Sequence, residues 1–418
     1  MAQTPGSAKS RSTSSTGGLN GANKRKTESW IEAFVEYTSN LESAPIFRRW
    51  AAIASLSAVL EQKVWLQTSA PLYPNLYVFL VGHPGVGKTR TVNAAAGFLR
   101  EIPDFHLSPT SMSAASLVDA LVEAKRSIIQ LPHPPMEYNS MTIMADELSA
   151  FMHKFDDEII GVLTTFYDVT VPYAQHRRGK DIRIKIKHPQ LSILSGTTPS
   201  NLLKFMPENA WDQGFTSRVI MVFSDERIIT DIFAQEQRGM PEGMIHDLKV
   251  INSLAGPFEV TADYKSAINN WRQLGQPPVP NHPKLTHYCT RRLAHLFKLS
   301  MVSAIDRSNV LILTKDDFNR AMNWLVEAEA FMPDIFRAGA TGSDAKAMDE
   351  IYHFVLIQGS GKKPVPEHKI VNFARERLPA HSVMRALEVM ERSGMLKAVA
   401  LDPKTGARLW NAEVPDLH

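Results

Sequence analysis

Cysteine is almost missing from this chain: Cys289 is the only one in 418 residues. An internal disulfide and a cysteine-built zinc site are thereby excluded, and the composition suits a reducing compartment. Cys289 itself reads as a small buried apolar residue on a helix. Long apolar runs are missing too. No stretch approaches the roughly 18 residues needed to cross a bilayer, and the first residues hold no apolar core of a secretion signal, so a cytosolic protein without a membrane partner is expected. Acid is missing from residues 1–27, which carry Lys9, Arg11, Lys24, Arg25 and Lys26. Without these cations the formal charge of +3 becomes slightly negative, so any nucleic-acid surface must be a local patch. Beyond one acidic pair taken up below, no acidic cluster or His/Cys set stands out, which leaves nuclease or primase chemistry without metal ligands.

What is present is an ordinary globular composition, 44% hydrophobic and 21% charged, long enough for two or three domains. Residues 1–27, rich in Ser, Thr, Gly, Asn and Lys, have too little apolar surface to offset their ordering entropy and are expected to be disordered. Lys24-Arg25-Lys26 reads as a solvated, solubilising tail or as a contact to nucleic acid. From Glu28 to Leu66 apolar residues recur at helical spacing (Trp30, Ile31, Phe34, then Ile46, Trp50, Ile53, Leu56, Leu60), predicting two or three helices that form a collar, a helical region over 28–75, ahead of a strand.

That strand, Tyr77 to Val81, runs into Gly82, His83, Pro84, Gly85, Val86, Gly87, Lys88 and Thr89, with Arg90 following. The spacing fits G-x-x-x-x-G-K-[ST] at every fixed position, a loop whose backbone N–H groups cradle a polyphosphate at a helix N-terminus. Lys88 would reach the β- and γ-phosphates of ATP and Thr89 would ligate Mg2+. A second strand is read at Phe105–Leu107, a helix from Leu117 to Ile129, and a Pro-rich surface loop from Leu131 to Tyr138. The strand Met141–Ala145 then ends in Asp146 and Glu147, placed to hold magnesium and to activate a water respectively. Leu191–Ser195 forms a further strand, read as lying between the other two, whose polar end offers Thr198, or failing that Thr197, as a γ-phosphate sensor; helix capping is the plainer role. Arg218, just before the strand Val219–Phe223, reads as an arginine finger for a neighbouring subunit or as a helix-capping arginine.

With these pieces in order the chain resembles the AAA+ ATPases over roughly residues 45–340. PNLYVFLVGHPGVGKT, LSILSGTTPSNL and GFTSRVIMVF are similar to the helicase-type ATPases of bacteriophages, prophages and mobile elements, and the SRV turn is similar to the SRF motif of minichromosome maintenance helicases. The resemblance implies an α/β fold with an AAA+ core over 76–255, a helical lid over 256–340, ATP at subunit interfaces and a ring, a hexamer in number. Two departures stand out: the sensor carries Thr where many relatives carry Asn, and no clear motif marks a second sensor, for which Arg292 is the candidate, a solvated arginine being the alternative. No aromatic-hydrophobic-Gly loop follows the second strand, which speaks against a protein unfoldase.

After a Gly/Ala/Ser linker, residues 344–418 read as three helices and a hairpin, the order of a winged helix. Its third helix turns Val383, Leu387 and Met390 inward and His381, Arg385, Glu388 and Arg392 outward; with Lys404 in the wing this face suits duplex DNA, or a protein contact. The other basic stretch, Arg177, Arg178, Lys180, Lys185 and Lys187, with Ile182, Ile184 and Ile186 alternating against Arg183, Lys185 and Lys187, reads as a hairpin tracking a phosphate backbone in a ring channel, or as an edge strand whose lysines prevent aggregation. The leading expectation is an ATP-driven DNA translocase or helicase in the replication of a phage or mobile element, working with other replication proteins in a bacterial host's cytoplasm. The alternative is a helicase loader or origin-binding initiator that switches rather than translocates.

Overall fold

The computed structural model describes residues 24–109, 111–128, 135–152, 157–177, 182–206, 214–231, 239–340, 344–359, 364–378, 380, 382–403 and 406–413, and shows an α/β protein with mixed sheets. Its first described residues are anchored. The Arg25 guanidinium donates to the Asp306 carbonyl at 2.9 Å and to Asn309 Oδ1 at 2.7 Å, and the N–H groups of Lys26 and Thr27 each donate to the Asp247 carboxylate at 2.8 Å. The expected tail is thus corrected over 24–27, because free carbonyls at a helix C-terminus bind a guanidinium better than water exposes it.

Ser29 caps α1 (Trp30–Tyr37) by accepting the Glu32 N–H, and Pro45 opens α2 (Pro45–Leu60), where a missing N–H costs nothing. Thirteen of the sixteen α2 residues are buried, Trp50, Ile53 and Leu56 fully. A helix buried on nearly every side belongs in an interior, so α2 is packed into the core. The helical spacing read up to Leu66 also ends early, since β1 (Val64–Gln67) is a strand with alternating burial, paired with β2 (Pro71–Leu72).

β3 (Tyr77–Val81) leads through the glycine-rich loop into α3 (Lys88–Arg100). Next come α4 (Ala114–Glu123), β4 (Lys125–Ile128), β5 (Met136–Ala145), α5 (Leu148–Phe151) and α6 (Asp157–Tyr167). A hairpin, β6 (Tyr173–Arg177) and β7 (Ile182–Ile186), precedes β8 (Pro189–Thr197), α7 (Pro199–Phe205) and β9 (Val219–Phe223). The main sheet has the order β4-β5-β8-β3-β9, parallel except for β4. β3, β8 and β9 are buried along their whole length, as strands covered on both faces must be. As read from the sequence, β8 does lie between β3 and β5. Two readings change at the other edge. Phe105–Leu107 makes only one parallel bridge, Leu107 to Thr142, and the predicted helix stops at Glu123 because Lys125–Ile128 pairs antiparallel with Met136–Asn139 of β5, inside the expected loop.

The registers Val81 with Thr197, Val81 with Phe223 and Ala145 with Ser195 bring the carboxyl ends of four strands to one side. Ligands bind in α/β sheets at such ends. Beyond lie α8 (Glu242–Asn252), β10 (Gly256–Val260), α9 (Ala262–Gln273), α10 (Thr286–Cys289), α11 (Arg292–Arg307), β11 (Ile312–Leu313) and α12 (Lys315–Ala340). The stretch 256–340 is largely helical, as expected, but β10 also joins β1 and β11 in a second sheet, β11-β10-β1-β2, that the spacing does not reveal. Cys289, on α10, is partly buried.

The last elements are α13 (Asp344–Gln358), β12 (Val365–Pro366), α14 (Glu367–Arg375), α15 (Val383–Arg392), β13 (Leu396–Leu401) and β14 (Arg408–Ala412). Their antiparallel sheet, β12-β14-β13, covers a separate core around Ile351, Ile370, Leu387, Met390 and Trp410.

Candidate nucleotide site

Gly87 N-caps α3 with φ +80°, and a Cβ there would run into the Glu42 carbonyl of the loop between α1 and α2. Only glycine supplies both the left-handed turn and the close approach. Val86 is buried beneath the loop, whereas His83, Pro84, Gly85, Thr89 and Arg90 face outward. Lys88 is 7% exposed, and its Nζ donates to the Gly82 carbonyl at 2.8 Å and the His83 carbonyl at 2.9 Å. Burial lowers its pKa, and the Glu147 carboxylate opposes that shift. The loop opens on a cleft of about 400 Å³ lined by Glu42, Pro84, Lys88, Thr89, Glu147 and Thr198, among others.

The acidic pair stands where β5 ends. Asp146 is exposed and its Oδ2 accepts from Asn93 Nδ2 on α3 at 3.3 Å; Glu147 Oε1 accepts from Asn201 Nδ2 on α7 at 3.4 Å. Gly196 makes this junction possible, because a Cβ on it would sit 2.6 Å from the Asp146 carbonyl oxygen. Thr198 lines the cleft and also caps α7, its hydroxyl accepting the Asn201 N–H at 3.2 Å, so the sensor position and the capping role coincide in one residue. Thr197 is fully buried and its carbonyl accepts the Gly82 N–H at 3.2 Å, which ties β8 to the loop. Oxygen donors at Thr89 and Asp146, one hydroxyl and one exposed carboxylate, fit a magnesium ion that takes its remaining ligands from phosphate and water.

Arg218 lies elsewhere. It ends the 3-10 turn Thr216–Arg218 at the amino end of β9, where Val219 pairs with Tyr77, and so at the opposite end of the strands from the loop. Its guanidinium pairs with Asp168 and donates to the Gly214 carbonyl at 2.7 Å. The turn is braced from behind: His295 Nε2 lies 3.0 Å from the Ser217 carbonyl, and Lys298 Nζ donates to the Asn75 carbonyl at 2.7 Å, 3.9 Å from the Tyr167 ring centroid. Burial pushes the His295 imidazole down to about 3, so it is neutral and donates to that carbonyl.

Arg292, the candidate second sensor, does not line the cleft. It is fully buried, bonds Glu329 through Nε and Nη2 at 2.7 Å each, and donates as well to the Gln276 and Pro278 carbonyls. Four of its five N–H donors are thus engaged away from solvent, and the solvated alternative fails.

Several site residues escaped the motif reading. Beside the loop a second cavity, about 630 Å³, is enclosed by Pro45 and Ile46 of α2, Ser224 to Glu226 after β9, and Phe331 and Arg337 of α12, among others. Its size suits a small ligand. Ser224 donates its N–H to Val81 at 3.1 Å, which carries the segment 224–227 along the start of the loop. Asn201 escaped it too: it stands in the stretch after β8, but its contact with Glu147 appears only in the fold.

Among the basic candidates, Arg183, Lys185 and Lys187 are exposed while Ile184 and Ile186 are buried, the alternation read from the sequence. Arg177 pairs with Ile182 across the hairpin. Arg385 and Arg392 are exposed on α15, opposite buried Val383, Leu387 and Met390. Arg178, Lys180, His381 and Lys404 lie outside the described residues. Compared with known proteins, the chain matches no family model and no curated protein.

Proposed function

We propose that this chain is an ATP-hydrolysing, ring-forming DNA translocase or helicase of the AAA+ type, acting in phage or mobile-element replication. The observation that carries the reading is the convergence of Lys88, Thr89, Glu147 and Thr198 on one cleft at the carboxyl ends of parallel strands, with Arg218 at their far end. A five-residue strand is about 16 Å long at the usual rise. Arg218 is therefore remote from its own cleft and suited to a neighbour's, which is what a ring of identical subunits requires. The strand order β5-β8-β3-β9, with Leu107 bridged outside β5, supports the AAA+ assignment.

Bound ATP with Mg2+ supplies the phosphoanhydride and neutralises its charge. Lys88 exchanges the two loop carbonyls for phosphate oxygens, a charge-assisted contact. Glu147 takes the proton of an attacking water once Asn201 releases it. The exposed cations Arg183, Lys185 and Lys187 follow the nucleic-acid backbone by charge, and residues 344–418 act as a winged helix on duplex DNA.

The loader reading keeps one observation of its own: α15 exposes Met384 and Val389 beside Arg385 and Arg392, a face equally suited to a partner protein. A forked-DNA unwinding assay with ATP and magnesium separates the two. Unwinding by the purified protein alone is the expected result; nucleotide hydrolysis without unwinding, restored to unwinding by a second helicase, is the loader's.

A further inference from the structure

Arg227 lies against the middle of the phosphate loop. β9 ends at Phe223, the Ser224 N–H donates to Val81, and three residues later the guanidinium reaches Gly85: Nη2 lies 3.0 Å from the place a Cβ on Gly85 would occupy, Nε 3.7 Å and Cζ 3.8 Å. The side chain is exposed and has no hydrogen bond or ion pair among the described residues, although Asp225 and Glu226 are its chain neighbours. By contrast Lys88, the cation that the motif supplies, is buried and engaged by two carbonyls on the inner side of the same loop. Two cations of one subunit therefore flank the loop, and only Arg227 is uncommitted.

An exposed guanidinium ordinarily stays in bulk water or pairs with a carboxylate. Holding one over a loop whose N–H groups form a cradle for anions adds repulsion unless an anion arrives. We propose that Arg227 is a second phosphate-binding cation of the nucleotide site, acting in its own subunit and closing over the polyphosphate from the β9 side. This rests on the reading of Gly82–Thr89 as a nucleotide loop. A planar fork of donors suits two phosphate oxygens at once, whereas an ammonium offers a point charge. The position also joins the phosphate cradle to the neighbouring cavity, since Ser224, Asp225 and Glu226 line that cavity and Arg227 follows them.

The test is equilibrium binding of fluorescent ADP and ATP analogues to the full-length protein, with Arg227→Met, Arg227→Lys and Lys88→Ala measured beside the wild type. Arg227→Met keeps the apolar stem and removes the charge; it is expected to bind both nucleotides about tenfold more weakly or worse, with a shallower salt dependence. Arg227→Lys is expected to fall between the two. Because Arg227 is exposed and unpartnered, the thermal midpoint of nucleotide-free Arg227→Met should equal that of the wild type, while the stabilisation that nucleotide gives should shrink. If Arg227→Met binds as the wild type does while Lys88→Ala does not bind, Arg227 is only a neighbour of the loop and the proposal is overturned. If the wild type itself binds no nucleotide, the reading of the loop falls and takes the proposal with it.

Discussion

At the scale of single residues, the proposed function divides binding from chemistry. Lys88→Ala removes the charge that must meet the phosphates, so nucleotide affinity should drop by about a hundredfold, measurable by titration. Glu147→Gln keeps the shape and the Asn201 contact but loses the base; ATP should still bind while hydrolysis falls by about 10²–10⁴. Full hydrolysis by the Gln variant would remove Glu147 from the mechanism. Arg292 shows what residue type alone conceals. In the sequence it is an arginine on a lid helix, but its guanidinium is locked to Glu329 at 1% and 4% side-chain exposure. Removing one partner of such a pair strands the other charge, so Arg292→Ala should lose about 3–5 kcal/mol of stability. Denaturant unfolding measures this, and the fraction still folded should bind nucleotide normally. A defect in binding without a defect in stability would restore Arg292 as a sensor.

At the scale of elements, the turn before β9 depends on a histidine that must stay neutral. His295 has a folded-state value of about 3 against about 6.5 in the unfolded chain. Above pH 6.5 neither state binds the proton and this group leaves stability flat. Between 6.5 and 3 the unfolded chain binds it and the folded one does not, so stability declines as pH falls. A His295→Gln variant should be less stable at pH 8, and its stability should fall less between pH 6.5 and 4.5; equal slopes would contradict the burial argument. On the proposed reading, the hairpin is the element that meets nucleic acid. With Ile184 and Ile186 packed inward, Lys185 and Lys187 point out, so Lys185→Ala with Lys187→Ala should lower DNA-stimulated hydrolysis and leave the basal rate unchanged. Unchanged stimulation would return β7 to the role of a protected edge strand.

At the scale of the whole molecule, the two hydrophobic cores are separate, one running from Trp30 to Phe336 and one from Ala347 to Trp410. Removing residues 344–418 should therefore leave a folded ATPase. Its affinity for duplex DNA and the salt dependence of that affinity should drop, while saturating single strands still stimulate hydrolysis. Loss of single-strand stimulation in the truncated protein would mean that the second core, not the hairpin, engages the strand. On the proposed reading, the far placement of Arg218 makes assembly a condition of turnover. Arg218→Ala should bind ATP yet hydrolyse it slowly, and mixing it with Lys88→Ala subunits should recover some activity at interfaces with both halves intact. Rates that merely add on mixing would oppose action in trans.

The parts that meet at the cleft and in the hairpin were legible in the residues because they are written in short, contiguous patterns: a glycine-rich loop between a strand and a helix, an apolar strand ending in two acids, alternating isoleucines and cations in β7. Local spacing carries these, since backbone geometry repeats every two or 3.6 residues. Helices with one apolar face were legible for the same reason. What lay beyond reach depended on partners far along the chain. β1 reads as helix until it pairs with β10, Arg292 reads as free until Glu329 closes on it, and Arg25 reads as a tail until the end of α11 receives it. Burial and long-range pairing have no period in the sequence; only the assembled tertiary structure decides which polar groups are left facing the cleft, and it is there that Arg227 and Asn201 come within reach of the loop and its acid.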